Sequence, residues 1–210
     1  MSKPVEVLKE IANQVSACEK CELHYSRKHA VPGEGPADSK IMFIGEGPGF
    51  YENEQGRPFV GAAGNFLSDL LGKIGLKREQ VYITNVVKCR PPGNRDPQAD
   101  ELAACSDYLE RQIEAINPRV IVTLGRFSMA RYLPNAKISD IHGQATWIHG
   151  RMIVAMYHPA AALHQGSLRQ TIIEDFQKLP ALLEKARALR QPAGGEPDEE
   201  SPAEQMRLFD

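Results

Sequence analysis

The 210-residue sequence predicts an α/β fold, a three-layer αβα sandwich in which a central, mainly parallel four-stranded sheet lies between two layers of helices. Four short apolar runs rich in β-branched residues, each followed by a turn signal, are typical of buried strands. They cover residues 41–44, 81–83, 120–124 and 152–156. Helical patterns separate these runs, and strands that alternate with helices favour a parallel sheet covered on both faces.

Four stretches have apolar residues at helical spacing. They cover residues 5–15, 66–74, 96–116 and 168–190. Gly75 is expected to end the second helix. Asp96 is expected to cap the third helix, with Pro97 at its first position. Pro180 is expected to break the fourth helix, because proline removes a backbone hydrogen bond from a helix interior.

The residues that follow the four strands carry most of the polar chemistry. In parallel sheets, ligands bind beyond the carboxyl ends of the strands, so these residues are expected to meet in one crevice. They are GEGPG after the first strand, Thr84-Asn85 after the second, Gly125-Arg126 after the third and Tyr157-His158-Pro159 after the fourth.

Each of these groups suits the binding of a flat, polar ligand. Asn85 carries both a donor and an acceptor and can recognise the edge of an imide or pyrimidine. Phe59 offers a ring for stacking. His158 can donate a hydrogen bond to an oxyanion that develops on a leaving group. Gly45 and Gly47 let the backbone approach a planar ligand closely.

Other interpretations of this glycine-rich segment were weighed. GEGPG is similar to a shortened dinucleotide-binding fingerprint, but Phe50 stands where the third glycine of GxGxxG would be. Glu46 and Glu52 are also compatible with ordinary solvated loop charges. The sequence contains neither a GxSxG motif nor a Walker loop, which argues against a common hydrolase or a nucleoside triphosphatase.

Four cysteines predict a metal centre. They are Cys18 and Cys21 in a CxxC pair, Cys89 after the second strand and Cys105 in the long third helix. Structural disulfides are improbable in a reducing compartment, whereas four thiolates suit either zinc or an iron–sulfur cluster. The wide spacing favours a cluster over a small zinc module and leaves both open.

The charge is divided unevenly along the chain. Residues 191–210 contain six acidic residues and one basic residue, Arg207, and so carry a net charge of −5. Because the net charge of the whole chain is −2, residues 1–190 carry about +3. We therefore expect one domain over residues 1–190, compatible with a basic groove, and an acidic disordered tail over 191–210. The sequence has no 18-residue apolar run and no apolar signal region, so we expect no membrane association and a cytoplasmic location.

Five blocks of the sequence resemble the family 4 uracil-DNA glycosylases, the iron–sulfur branch of the uracil-DNA glycosylase superfamily. The blocks are GEGPGFYENEQGRPFVGAAG, YITNVVKCRPPGNRDP, TLGRF, YHPAA and the four cysteines. The resemblance covers residue 18 to about residue 180. It implies a monofunctional DNA-repair enzyme that releases free uracil and leaves an abasic site, acting as a monomer associated with the nucleoid.

The resemblance also implies roles for individual residues. Phe59 matches the ring that stacks on uracil, Asn85 the amide that reads N3 and O4, and His158 the imidazole that donates to O2. Glu46 and Glu52 match acidic residues of the first motif and join the catalytic set. The cysteines match the ligands of a structural [4Fe-4S] cluster: Cys18, Cys21, Cys89 and Cys105.

The first motif differs from family 1 enzymes, which carry an aspartate that positions water where this chain has Gly47. Backbone groups or Glu52 could hold the water, but we favour attack on a nearly free oxocarbenium ion with little assistance. Removing one oxyanion donor costs roughly 100- to 1000-fold in rate, so His158 should matter more than any base.

The substrate is expected to be uracil-containing DNA, single- or double-stranded. Leu163 is a candidate wedge into the space left by the flipped base, although burial in the core is the commoner fate of a leucine. Candidate phosphate contacts are Lys88, Arg90, Arg95, Arg126 and Arg169. Two alternatives remain: a non-catalytic iron–sulfur or zinc protein that binds nucleic acid or senses redox state, and an α/β enzyme for free nucleobases or nucleosides.

The tail ends in an apolar peptide that the acidic stretch before it does not explain. Gln205, Met206, Leu208 and Phe209 resemble the QLxLF peptides that dock bacterial repair proteins on the DNA sliding clamp, with Met206 in place of leucine. Two interpretations stay open, a peptide that binds the clamp and an incidental apolar tail.

Overall fold

The computed structural model describes residues 3–189. The expected disordered tail and its clamp-binding peptide lie outside these residues. The chain forms a single sheet with helices on both faces, and the predicted three-layer α/β architecture is confirmed.

The sheet has five strands, so the prediction of four was wrong. The strands are β1 (Ile41–Gly45), β2 (Tyr82–Asn85), β3 (Val120–Leu124), β4 (Ala145–Ile148) and β5 (Arg151–Met156). Their order is β2-β1-β3-β5-β4, with β4 antiparallel to β5 and the other pairs parallel. The mainly parallel character was predicted correctly.

The strand that sequence reasoning missed, β4, is an edge strand. Only Ala145 is fully buried in it, so it lacks the continuous apolar run that identifies the other four. A two-residue turn joins it to β5, with φ of 47° at His149 and 70° at Gly150. Positive φ at both central residues is the geometry of a tight hairpin turn, which His-Gly signals less clearly than Asn-Gly.

The helices lie in two layers. They are α1 (Pro4–Ser16), α2 (Leu23–Ser26), α3 (Phe50–Gln55), α4 (Ala62–Lys73), α5 (Ala99–Ile116), α6 (Arg126–Ala130), α7 (Ile138–Ile141), α8 (Ala161–His164) and α9 (Leu168–Leu189). On one face of the sheet α4 and α9 pack together, and the rings of Phe43 and Phe176 stack with their centroids 6.0 Å apart. On the other face α5 packs on the sheet and α1 packs on α5.

Two helix boundaries differ from those predicted. The long helix α5 begins at Ala99 rather than at Pro97, because the Glu101 carboxylate accepts the backbone N–H of Gln98 at 2.7 Å and so caps the helix there. Helix α9 continues through Pro180, since the buried residues on both sides of it pack against the core. Gly75 follows α4 with a φ of 74°, as expected of a helix-ending glycine. Within residues 3–189, no helix has the length and apolar character needed to cross a membrane.

Candidate active site

A pocket of about 450 Å³ opens where the carboxyl ends of the parallel strands meet. Its lining includes Glu46, Gly47, Glu52, Phe59, Asn85 and His158. The cavity therefore brings together residues at the ends of β1, β2 and β5, whereas Gly125 and Arg126, which follow β3, do not line it. A Cβ atom at Gly45 would lie 2.4 Å from Asn85 Oδ1 and 2.6 Å from Phe59 Cζ, so only glycine fits between them.

Phe59 forms one wall of the pocket in an unusual backbone conformation. Its φ is 52°, in the left-handed region that non-glycine residues rarely adopt. The ring faces the His158 imidazole at a centroid distance of 5.4 Å and an interplanar angle of 27°. A Cβ at Gly64 would lie 1.9 Å from the Phe59 carbonyl oxygen, so α4 packs directly on this strained peptide.

The strained backbone is held by an arginine that sequence reasoning missed. Arg78 donates hydrogen bonds to the carbonyl oxygens of Pro58 and Phe59, the latter at 2.8 Å, and to Glu34 Oε1 at 2.7 Å. Arg57 binds the same carboxylate. Burial raises the pKa of Glu34, but the hydrogen bonds from Arg57 and Arg78 outweigh it and lower that pKa below its ordinary value.

Asn85 ends β2 at the floor of the pocket. The residue is 1% exposed, and its Oδ1 atom has no hydrogen-bond partner within residues 3–189. A buried polar atom without a partner is costly, and such atoms in native proteins call for an explanation. An N–H donor on a bound ligand would supply the missing bond.

His158 faces the pocket as a neutral imidazole. The backbone N–H of Ala160 donates to its Nδ1 at 3.1 Å, so Nδ1 carries no proton and Nε2 is the N–H donor. Burial lowers the pKa of His158 to about 4, although the negative charge of Glu52 opposes this change. At neutral pH the side chain is therefore an uncharged donor of one hydrogen bond.

The two acidic residues of the first motif differ in their surroundings. The Glu52 carboxylate accepts backbone N–H groups from Gly49 at 3.1 Å and from Val60 and Gly61 at 2.9 Å each, so both its oxygens are engaged. Glu46 is partly buried, and burial followed by the charge of Asp96 raises its pKa. Gly47 leaves no room for a side chain, since a Cβ there would lie 2.8 Å from Val87 Cγ2.

Residues 32–179 match the family model described as the uracil DNA glycosylase superfamily. The chain belongs to this superfamily. A Type-4 uracil-DNA glycosylase from Saccharolobus solfataricus is 51% identical over 183 residues, 82% of this chain and 85% of that protein. Type-4 enzymes from Archaeoglobus fulgidus and Thermotoga maritima are 46% and 43% identical, each over 86% of this chain and 96% of the relative.

The structure contradicts one of the candidate phosphate contacts. Lys88 is 1% exposed, and its ammonium donates to Thr84 Oγ1, the Asn85 carbonyl and Gln112 Oε1 at 2.6 to 2.8 Å. Burial lowers its pKa to about 7. The prediction was wrong for Lys88 because the ammonium lies inside the protein, where it ties the end of β2 to α5.

The remaining candidates lie nearer the surface. Arg95 lines the pocket and forms a two-pronged pair with the buried Glu101, while Arg126 pairs with Asp96. Arg90 donates to Asn94 at 2.7 Å, and the Arg169 guanidinium lies 4.3 Å from the centre of the Phe66 ring. Leu163 on α8 is 49% exposed, so it is not a core leucine.

The four cysteines are carried by the N-terminal segment, the loop after β2 and α5. All four are free thiols; Cys89 and Cys105 are buried and pack with Cys21 in one apolar cluster, while Cys18 borders the adjacent cluster. Burial raises the pKa of Cys21, of Cys89 and of Cys105, the last to about 11, and neighbouring cysteine charges raise each further. Within residues 3–189, no three His, Cys, Asp or Glu side chains are placed to hold a single metal ion.

Proposed function

We propose that this chain is a DNA-repair glycosylase that flips uracil out of DNA and hydrolyses its N-glycosidic bond, leaving an abasic site. The observation that carries the proposal is the buried Oδ1 of Asn85, which has no hydrogen-bond partner within residues 3–189 and shares a pocket with the Phe59 ring and the Nε2–H of His158. An acceptor, a stacking surface and a neutral donor match the N3–H, the flat ring and the O2 of uracil.

The reaction follows from these three groups. Uracil enters the slot beside Phe59, and Asn85 accepts its N3–H and donates to O4. As the glycosidic bond breaks, negative charge grows on the base, and His158 donates Nε2–H to O2. Because Nδ1 is held by a backbone N–H, the imidazole is fixed in the productive tautomer before substrate arrives.

Water attack needs little from the acidic residues. Both oxygens of Glu52 already accept backbone N–H groups, which supports a structural role rather than that of a general base. Glu46 lines the same pocket and has a raised pKa, so of the two carboxyl groups it is the better candidate for a catalytic role. We retain the expectation that stabilising the departing uracil anion dominates the rate.

The four cysteines fit a [4Fe-4S] cluster by their number and thiol chemistry, and Cys21, Cys89 and Cys105 pack together in one apolar group of side chains. When bound, the cluster would supply four iron–thiolate bonds that cross-link the N-terminal segment, the loop after β2 and α5. Cys89 lies four residues after Asn85, on the loop that follows β2, so these bonds would also steady the floor of the pocket. Iron and sulfide content and broad visible absorption distinguish this cluster from zinc.

We further propose that Arg90, Arg95, Arg126 and Arg169 contact phosphates and that Leu163 enters the space left by the base. The exposed Leu163 and the surface position of Arg90 and Arg126 support these roles. The working unit is one domain over residues 1–190 that acts as a monomer on DNA in the cytoplasm, with the C-terminal QMRLF as a tether to the sliding clamp. Deleting residues 204–210 should abolish clamp binding and leave activity on short oligonucleotides intact.

The decisive experiment uses a labelled oligonucleotide with one uracil, treated with alkali after incubation with the protein. We expect strand cleavage with the wild type, and a loss of about 100- to 1000-fold in rate with His158→Ala. A protein that leaves uracil in both single-stranded and U·G substrates would overturn the proposal. Release of uracil from free deoxyuridine at the same rate would instead indicate a nucleoside-processing enzyme.

A further inference from the structure

Two exposed aromatic residues border the uracil pocket. Phe50 and Tyr51 form the first turn of α3, between Gly49 and Glu52, which both line the pocket. They are 51% and 58% exposed, and their rings meet edge to face with centroids 5.4 Å apart. A Cβ at Gly61 would lie 3.3 Å from Tyr51 Cδ2, so the Tyr51 ring rests on the loop that carries Phe59.

The fold does not use these rings for its core. Neither residue belongs to the apolar clusters that residues 3–189 form. Single exposed aromatics are ordinary, but two adjacent ones at the rim of a pocket are a typical sign of a binding surface. Arg90 completes the rim, with its guanidinium 5.3 Å from the centre of the Phe50 ring.

Such a combination of aromatic faces and a cation is suited to unpaired nucleobases. Proteins that bind single strands stack bases on aromatic side chains beside a positively charged groove, and this stacking tolerates any sequence because every base has a π face. When uracil leaves its strand, the bases on either side lose a stacking neighbour. A strand whose uracil occupies the pocket has to leave the pocket on both sides, and rings that adjoin Gly49 and Glu52 of the lining are placed to meet a flanking base.

We propose that Phe50, Tyr51 and Arg90 form a stacking platform for the base next to the extruded uracil on the same strand. The inference rests on the proposed function, because a flanking base loses its neighbour only if uracil is flipped out. The platform replaces that lost stacking. It favours substrates in which the flanking base is unpaired or weakly paired, and it is indifferent to the identity of that base.

The test combines a change in the protein with a change in the DNA. The substrates are single-stranded oligonucleotides with one uracil, in which the 5′ or the 3′ neighbour carries either a normal base or an abasic tetrahydrofuran spacer. The proteins are the wild type and the double variant Phe50→Leu, Tyr51→Leu, since leucine keeps apolar bulk and removes the π face. Tyr51→Leu alone serves as a second variant, and a thermal unfolding curve verifies that each protein is folded.

We expect the spacer on one side of uracil to lower wild-type kcat/KM by about 5- to 100-fold, the range that corresponds to stacking on one base. For the double variant, kcat/KM on the normal substrate should be lower by the same factor, and the spacer should cause no further decrease. The reason is that the variant and the spacer each remove the same interaction. Tyr25→Leu is the matched control, since Tyr25 is 81% exposed and, unlike Phe50 and Tyr51, has no chain neighbour in the pocket lining. It should keep the full spacer effect.

Equal spacer effects in the wild type and the double variant would overturn the platform. The platform would also be overturned if the double variant had the same kcat/KM as the wild type on the normal substrate. Failure of the proposed function has a different signature, in which the wild type releases no uracil from any of these oligonucleotides.

Discussion

Replacing Arg78 with methionine should release the Phe59 backbone at the wall of the pocket, although Arg78 itself does not line the pocket. Arg78 donates to Phe59 O at 2.8 Å, to Pro58 O and to Glu34 Oε1 at 2.7 Å, and its side chain is only 16% exposed. Hydrogen bonds that involve a charged group are worth about 1.5–3 kcal/mol each, and a left-handed non-glycine residue costs about 1–3 kcal/mol. Because relaxation of the Phe59 backbone and of the groups that Arg78 leaves offsets part of this loss, the free energy of unfolding should decrease by a net amount of about 2–4 kcal/mol.

The functional consequence follows from the same contacts. Without Arg78, the peptide at Phe59 is free to leave the left-handed region, and the ring then leaves the slot that receives uracil. Losing most of one stacking contact corresponds to about a 10- to 100-fold decrease in kcat/KM, measured by single-turnover release of uracil. The inhibition constant of free uracil should rise by a similar factor. A smaller fraction of folded protein would lower the rate but would not change this constant, because the constant is a property of the folded molecules alone.

Arg57 provides the matched control. It binds the same Glu34 carboxylate at 2.8 Å, but its side chain is 58% exposed and none of its hydrogen bonds reaches the Phe59 peptide. Arg57→Met should cost no more than about 1 kcal/mol and leave kcat/KM unchanged. Arg78→Lys should recover activity only partly, because a single ammonium cannot reproduce the planar fork that spans two carbonyls and a carboxylate. Unchanged uracil inhibition in Arg78→Met would refute the reasoning.

Three further predictions concern His158, the glycines of α4 and Lys88. Burial lowers the pKa of His158 to about 4 in the folded protein, from a value near 6.5 in the unfolded protein. The unfolded protein therefore binds this proton first as the pH falls, and the free energy of unfolding should decrease by up to about 3 kcal/mol between pH 6.5 and 4. In His158→Asn, urea titrations at each pH should lack this contribution to the decrease. Gly64→Ala should lower kcat/KM and the melting temperature, since its Cβ would lie 1.9 Å from a carbonyl oxygen, whereas Gly72→Ala, with nothing within 4 Å, should stabilise α4 by about 0.5–1 kcal/mol. Lys88→Met should destabilise the fold by about 2–3 kcal/mol and leave the salt dependence of DNA binding unchanged, whereas Arg90→Gln should reduce the salt slope by about one.

Each of these predictions has an outcome that contradicts it. Equal slopes of stability against pH between pH 6.5 and 4 in the wild type and in His158→Asn would show that His158 is protonated as readily in the folded as in the unfolded protein. Equal behaviour of the two glycine variants would mean that α4 does not press on the Phe59 peptide. A shallower salt slope in Lys88→Met would restore the lysine as a phosphate contact.

The sequence was sufficient for the parts of the fold and site that depend on simple patterns. Buried parallel strands produce continuous apolar runs, and the rule that ligands bind at their carboxyl ends located Asn85 and His158 in the pocket. The edge strand β4 was missed because three of its four residues are only partly buried, which leaves no apolar run.

Other parts of the site depend on contacts that residue type does not reveal. Arg78 and Glu34 act on Phe59 through backbone carbonyls and come from distant loops, so no motif marks them. Lys88 was predicted to contact phosphate, but its ammonium is buried and three oxygen acceptors within the protein satisfy it, which residue type does not reveal. The available signal in the sequence was the pair of glycines on either side of Glu34, Gly33 and Gly35, whose φ values in the structure are 125° and 137°.

The Glu52 carboxylate joins the start of α3 to the loop after Phe59, because it accepts N–H groups from Gly49, Val60 and Gly61. These hydrogen bonds close residues 49–61 into a ring, in which the start of α3 and the loop at residues 60–61 cannot move apart without breaking them. The width of the slot is thus set before any nucleic acid arrives, and an oversized base cannot widen it by pushing on one side. The deformation required for recognition falls on the DNA, so strands that are already distorted or unpaired should be processed fastest.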